Sequence, residues 1–465
     1  MRRTSAAFAA LLILLGASCH SSADAPRRRA VAAPTTTIDD VERRTFRFFW
    51  DTTNPRNGLV PDRWPTPSFS SIAAVGFGLA AYGIGAQRGY VTREAARDRV
   101  LLTLRTFLNL PQGPAATGMG GYHGFFYHFL DMESGLRFKD VELSTIDTTW
   151  LLAGALFCQS YFDRNDPTES AIRDAAEQLF ERAEWDWEQP RPPAISMGWY
   201  PEKGFHTYDW HGYNEAMMVY ILALGSPTHA ADPSGWTEWT KTYRWGEFYG
   251  QQHVLFPPLF GHQYTQMFID FRGIQDAYMR DRGIDYFENS RRATISQRSY
   301  AIDNPGRWND YGPNVWGLTA CDGPADVTID GRTYHTYTAR GATQDTIVDD
   351  GTIAPTAAIS SIAFTPEISI AAMEEMQRRY GPALYRQYGF ADSFNPTYRG
   401  TSKYGTVDPN LGWFDVDYLG IDQGPIVIMI ENHRSGLVWD VMKKNPHVVR
   451  GLKRAGFTGG WLESK

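Results

Sequence analysis

An all-α fold is predicted for this 465-residue chain, an (α/α)6 toroid of about twelve helices joined by long loops. Three observations predict it. Apolar residues recur at helical spacing in about a dozen separate segments. Strand-like alternation is sparse, so at most a small β-hairpin is expected, its best candidate being Val327 to Tyr337 with Asp330-Gly331 at the turn. No fixed-period repeat is visible, which counts against a solenoid of near-identical units and favours a closed ring of six inner and six outer helices.

The helical segments fall near 39–50, 70–86, 92–109, 144–162, 168–183, 213–224, 262–280, 284–300, 356–364, 366–379, 422–431 and 446–456. Thr92 before Arg93-Glu94-Ala95, Thr168-Glu169 and Pro366-Glu367 carry the chemistry of helix starts. The polar-aromatic loops 110–143, 196–213 and 304–355 are long enough to furnish a groove at the helix ends.

The chain opens with Arg2-Arg3, an apolar run from Ala6 to Leu15 too short to span a bilayer, and Gly16-Ala17-Ser18 before Cys19. This is similar to a bacterial lipoprotein signal over 1–19, with Cys19 lipidated; plain secretory cleavage nearby is the alternative. Residues 20–37 read as a flexible tether and 38–465 as one domain. The expectation is therefore a monomer anchored by lipid in the periplasm or at the cell surface. His20 does not resemble the Asp that marks inner-membrane retention, so the outer membrane is preferred.

A net charge of −7 without a long basic run excludes nucleic acid as an expected partner. Only Cys158 and Cys321 follow Cys19, too few for a disulfide framework. No metal-ligand spacing occurs, so no structural metal is expected.

The most informative stretch runs from Trp199 to His229. Trp199, Tyr208, Trp210, His211 and Tyr213 crowd ahead of one acid, Glu215, which precedes an apolar helical run. Flat rings cover the apolar faces of sugars, and a desolvated carboxyl has the raised pKa of a general acid. A core helix with an aromatic staple explains the same residues without function. Other acids sit in unusual settings. Glu142 and Asp147 border the apolar run 151–157, Asp422 and Gln423 precede another, and Asp270 and Arg272 lie close enough to pair. Ser144 and Asp147 could form a capping box, and Asp422 could be a plain N-cap. Glycoside hydrolysis needs one protonated carboxyl and one ionised partner. Glu215 suits the first role; Glu142, Asp147 and Asp422 remain open for the second.

Five ordered strings, ELSTIDTTWLLAGALF, HGYNEAMMVYILALGSPTH, WGLTACDGP, DDGTIAPTAAISSIAFTPE and LGIDQGPIVIMIEN, resemble the bacterial glucoamylase-like family, which includes the endo-β-1,2-glucanases of glycoside hydrolase family 144. The resemblance runs from about Phe46 to Trp461. It implies a single (α/α)6 domain, no cofactor, and hydrolysis of β-1,2-glucan or its oligosaccharides with inversion at the anomeric carbon. It implies catalytic acids at Glu215, Glu142 and Asp147, with Asp422 a candidate base or substrate contact. Trp199, Tyr208, Trp210 and Trp316 then become stacking candidates, and His211, Tyr213, Arg272, Asp322 and Gln423 candidate contacts to the sugar. Cys321 and Trp150 depart from the Ser and the small residue expected at their places, changes that would reshape a subsite. A transglycosylase or phosphorylase on related glucans, or a non-catalytic glucan-binding lipoprotein, are the alternatives.

Overall fold

The computed structural model describes residues 37–463. The expected signal, Cys19 and all but the last residue of the tether lie outside that range. Within it the chain forms fifteen α-helices: α1 (Thr37–Thr52), α2 (Ile72–Arg88), α3 (Arg93–Asn109), α4 (Thr145–Tyr161), α5 (Pro167–Glu181), α6 (Met217–Gly225), α7 (Gly235–Thr240), α8 (Phe260–Phe268), α9 (Ala277–Arg282), α10 (Tyr286–Asp303), α11 (Pro355–Ile359), α12 (Pro366–Tyr380), α13 (Gly420–Arg434), α14 (Leu437–Met442) and α15 (Pro446–Arg454).

Two kinds of helix alternate. Helices α2, α4, α6, α8, α11 and α13 are buried on nearly every side. Their sequences explain this: residues 72–85 and 147–158 hold almost nothing but small and apolar side chains, so no face is left for water. Helices α1, α3, α5, α10, α12 and α15 bury one stripe and expose the other. Glycine sets the closest approach. A Cβ on Gly76 of α2 would overlap the Trp150 carbonyl of α4, and one on Gly154 would overlap the Gly76 carbonyl. A buried ion cluster fastens α1, α2 and α13: Arg88 Nε lies 2.5 Å from Glu431, and Arg434 Nη1 lies 2.5 Å from Glu42.

Several expected elements differ. The segment 262–280 is two helices, because the chain turns out between them and Asp270 and Arg272 clasp each other there. The helix expected at 356–364 is one turn and a half, and that expected from 213 starts at Met217, so Glu215 stands ahead of it. The α5 cap is Asp166, two residues before Thr168, accepting the Thr168 and Glu169 N–H groups ahead of Pro167. Thr92 caps α3 as expected. Extended structure exceeds the single hairpin: the loops hold ten two- or three-stranded sheets, with no strand longer than four residues. The expected hairpin is one of them, Val327–Ile329 against Arg332–Tyr334, turning through left-handed Asp330 and Gly331.

These short strands place the helix ends. Ser70–Ser71, Leu143–Ser144 and Tyr418–Leu419 lead directly into α2, α4 and α13. Each is paired elsewhere, with Phe129–Leu130, Gly198–Tyr200 and Arg63–Trp64 respectively. Strand pairing therefore fixes where three buried helices begin.

Candidate active site

The N-terminal ends of the buried helices meet at a cleft of about 190 Å³. Ala73 of α2, Ile146, Asp147 and Trp150 of α4, Phe260 and Tyr264 of α8 and Ile421 of α13 line it, with Glu215, His128, Ala320 and Tyr337 from the connecting segments. Acids in a first helical turn meet the positive end of the helix dipole, which favours their ionised form.

Asp147 is buried at that position. The Ser144 hydroxyl accepts the Asp147 N–H at 3.2 Å and donates to its Oδ2 at 2.5 Å, so Ser144 is both the helix cap and a carboxylate ligand. The structural and functional readings of this pair coincide. Asp147 Oδ1 faces His128 Nε2 at 3.5 Å, and His128 Nδ1 lies 2.7 Å from Glu142 Oε1. Backbone pairing explains the approach: His128 N–H donates to the Glu142 carbonyl at 3.0 Å, and Tyr127 bridges to Leu143. Burial alone would lower the His128 pKa, but the charge of Asp147, then the hydrogen bond and charge of Glu142, push it up to about 9. Burial works to raise Glu142, and His128 outweighs it, holding that carboxyl below its ordinary value. For Asp147 burial prevails over His128 and Ser144, and its pKa rises.

Glu215 sits across this cleft. The residue is half-buried, yet its Oε2 is shut off from solvent and has no hydrogen-bond partner. Burial, with a smaller push from the Asp147 charge, raises its pKa to about 7. The third acid, Asp422, is buried in the first turn of α13 with its Oδ2 unpartnered. Burial raises its pKa to about 7 against the hydrogen bond from Asp392. Asp392 itself is raised well above the usual range by burial, then by the charge of Asp422. The pair therefore shares a proton that Asp392 holds and donates to Asp422.

Tyr337 also lines an acidic cavity of about 490 Å³, with Arg63, Asp322, Asp415 and Asp417 among its other walls. Arg63 Nη1 pairs with Asp322 at 2.6 Å, and the Asp322 N–H donates to Asp392 at 2.8 Å. Single carboxylate oxygens of Asp322, Asp392 and Asp415 lie within 4.8 Å of one another, the set among the described residues that could hold a cation. One of those carboxylates is already paired with the Arg63 guanidinium.

The structure thus brings Glu215, Asp147, Glu142, Asp422 and Asp322 to one region. It spends the other sequence candidates elsewhere. Gln423 is buried and donates to the Phe390 carbonyl at 2.9 Å. Trp210 donates to Thr145 Oγ1 at 3.1 Å from a buried ring, and Tyr213 is buried against His262 and Tyr286. Trp316 is fully buried. Arg272 is clamped on Asp270 over the Trp439 ring. Trp199 packs with Tyr122 and Trp187, while Tyr208 and His211 are exposed. Cys321 and Cys158 are both free thiols; Cys321 contacts the buried Arg340. Trp150 does line the cleft. Sequence reasoning missed His128, Arg63, Asp392, Asp415 and Tyr337, whose partners are distant in the chain. Only the YHF and ADS settings, polar residues among apolar ones, marked His128 and Asp392 at all.

The family model described as "Putative glucoamylase" matches residues 207–446. This chain belongs to the glucoamylase-like family. A protein of the same description from Bacteroides uniformis is 32% identical, with a TM-score of 0.79 over 92% of this chain and 98% of that one. The endo-β-1,2-glucanase from Chitinophaga pinensis, solved with sophorotriose and glucose, is 29% identical at a TM-score of 0.78, covering 92% and 99%. An exo β-1,2-glucooligosaccharide sophorohydrolase acting at the non-reducing end, from Parabacteroides distasonis, is 29% identical over 90% of this chain. The chain spans 57% of that relative's length.

Proposed function

We propose that this protein hydrolyses β-1,2-linked glucans or their oligosaccharides by inversion, with Glu215 as general acid and Asp422 as general base. The observation that carries the reading is the Glu215 carboxyl, its Oε2 shut off from solvent and unpartnered and its pKa raised to about 7, on the wall of a cleft that holds a second acid. A carboxyl in that state keeps a proton near neutrality for the leaving oxygen. The family, and the β-1,2-glucan substrates named for its relatives from Chitinophaga and Parabacteroides, support the substrate class.

Asp422 suits the base because a lone pair must be free to take a proton from water. Within the Asp392–Asp422 pair Asp392 is raised further and holds the proton, so Asp422 is the member that ionises first. Asp147 has both oxygens engaged, by Ser144 and by His128. Its role in this reading is to orient sugar hydroxyls and to keep Glu215 protonated by its charge. Asp147 as the base is the second reading, favoured by its place on the same cleft wall as Glu215.

The alternation of six helices buried on nearly every side with six amphipathic ones supports an (α/α)6 toroid whose inner helix ends surround the cleft. The charged, apolar and small-residue succession ending at Cys19 supports export and lipid anchoring.

The test is the purified protein on linear β-1,2-, β-1,3- and α-1,4-glucans, with and without phosphate, reading product size and anomeric form. Phosphate-independent release of inverted products from the β-1,2-polymer is expected. Glu215→Gln keeps the fold and the glucan bound but stops turnover; normal activity in that variant removes Glu215 from the mechanism. Asp422→Asn and Asp147→Asn separate the two bases.

A further inference from the structure

The acid cleft does not end at its far wall. Tyr337 lines it and also lines the 490 Å³ cavity that contains Arg63, Asp322 and Asp415. That cavity in turn shares Thr336, Lys403 and Tyr404 with a third, of about 410 Å³, bounded by Pro324, Asp326 and Thr401. Three hollows therefore run in series from Glu215 outward, each joined to the next by a shared wall. Pockets of roughly 300–1,000 Å³ accept ligands larger than a single sugar ring.

The shared walls are aromatic and open. Tyr337 and Tyr404 are 52% and 57% exposed, in a protein that buries most of its rings. Burial, then the charges of Asp422 and Asp392, push the Tyr337 phenol well above its ordinary pKa. Its side chain lines both hollows.

The backbone beside both rings is tied down without a ligand. The Trp413 indole donates to the Tyr404 carbonyl at 2.5 Å, Ser402 Oγ donates to Pro324 O at 2.5 Å, and the Tyr398 hydroxyl donates to Thr401 O at 2.6 Å. Gly405 follows with φ +73°, where any Cβ would overlap the Phe414 carbonyl and the Trp413 ring. Asp326 accepts both the N–H and the hydroxyl of Thr336, at 3.0 and 2.8 Å, fixing the residue beside Tyr337. Exposed rings on an anchored backbone, alternating with carboxylates and one lysine, match a ligand with apolar faces and hydroxyl edges.

We propose that the hollows across Tyr337 and Tyr404 are successive sugar subsites that bind a glucan chain extending beyond the cleaved bond, and that Tyr404 sets the preference for long chains over short ones. This rests on the glucan-hydrolase reading above.

The test is KM and kcat on β-1,2-glucooligosaccharides of increasing length and on the polymer, for the wild type, Tyr404→Ala, Tyr404→Phe and Tyr249→Ala. Tyr249, exposed on the Trp245–Phe248 to Gln251–Val254 hairpin, is the remote control. The expected wild-type KM falls as the chain lengthens. Tyr404→Ala raises KM for the polymer about five- to tenfold and flattens that dependence, with kcat changed far less. Tyr404→Phe restores it, and Tyr249→Ala follows the wild type. Turnover with a length-independent KM, or an equal rise at every length in Tyr404→Ala, overturns the subsite proposal alone. No turnover of any β-1,2-glucan overturns the hydrolase reading and the subsites with it.

Discussion

Glu142 Oε1 lies 2.7 Å from His128 Nδ1, and together with the charge of Asp147 this contact keeps the imidazole beside the α4 wall of the cleft protonated. With Glu142 on one ring nitrogen and Asp147 3.5 Å from the other, the imidazole is held as a cation up to about pH 9. Its folded pKa exceeds that of the free ring, so the stability this arrangement contributes is complete below about pH 6.5 and is lost as pH rises towards 9.

His128→Gln keeps a hydrogen-bonding side chain but removes that cation. Asp147 and Glu142 then face each other without a counter-charge, and one of them takes a proton. We expect kcat to fall roughly ten- to a hundredfold with the fold retained. The stability loss expected of the wild type between pH 7 and 9 should disappear from the variant's denaturation curves. An unchanged kcat would reduce His128 to a structural tie.

The acid and base assigned to Glu215 and Asp422 both titrate near 7. A general acid works below its pKa and a general base above its own. With both at about 7, only about a quarter of the molecules are correctly charged at neutrality, and fewer on either side. The expected pH–rate profile of kcat/KM is a narrow bell centred near 7. Asp392→Asn, which still donates a hydrogen bond but cannot exchange a proton with Asp422, should lower the acidic limb. A plateau extending several units to alkaline pH would contradict the assignment of Glu215.

The α2–α4 contact ties stability to the same site. Gly76→Ala places a methyl group against the Trp150 carbonyl, and Trp150 lines the cleft. Neither backbone can retreat, since both helices are packed on nearly every side. We expect a loss of about 3 kcal/mol or more, together with a raised KM as the Trp150 ring shifts. Measuring the denaturant midpoint and KM on one preparation checks both; a stable variant with normal KM would show that the helices can separate freely.

What was legible in the sequence follows from where the information is local. Helices α2 and α4 were readable because apolar runs begin just after Ser71 and Ser144, polar residues able to cap them. Glu215 was readable because aromatic residues surround it in the chain itself. His128 was not: its partners stand fourteen and nineteen residues later and meet it only through the pairing of Tyr127 with Leu143. The cluster of Arg63, Asp322, Asp392 and Asp415 draws on segments hundreds of residues apart, which no window of sequence can join. The aromatic candidates misled for a related reason. Trp210, Tyr213 and Trp316 have the composition of a sugar platform, but burial against Thr145, His262 and the core uses them for packing. The exposed rings at Tyr337 and Tyr404 lie in less conspicuous sequence.

Glu188 offers a test of the protein's stability that is independent of the cleft. Its side chain is completely buried, and neither carboxylate oxygen has a hydrogen-bond partner in the protein. Burial pushes its pKa well above the ordinary value of 4.5, so the folded protein carries it protonated. The raised folded-state pKa sets the sign. From about 4.5 upward the unfolded chain releases this proton while the folded one keeps it, so stability declines with rising pH until the folded pKa is reached. Glu188→Met has similar volume and no polar atom to leave unsatisfied. It should stabilise the protein by about 2 kcal/mol at pH 8 and by less at pH 4.5, flattening the dependence. Denaturant midpoints of the two proteins at both pH values measure this, and an equal gain at pH 4.5 and pH 8 would mean that Glu188 is not protonated in the fold.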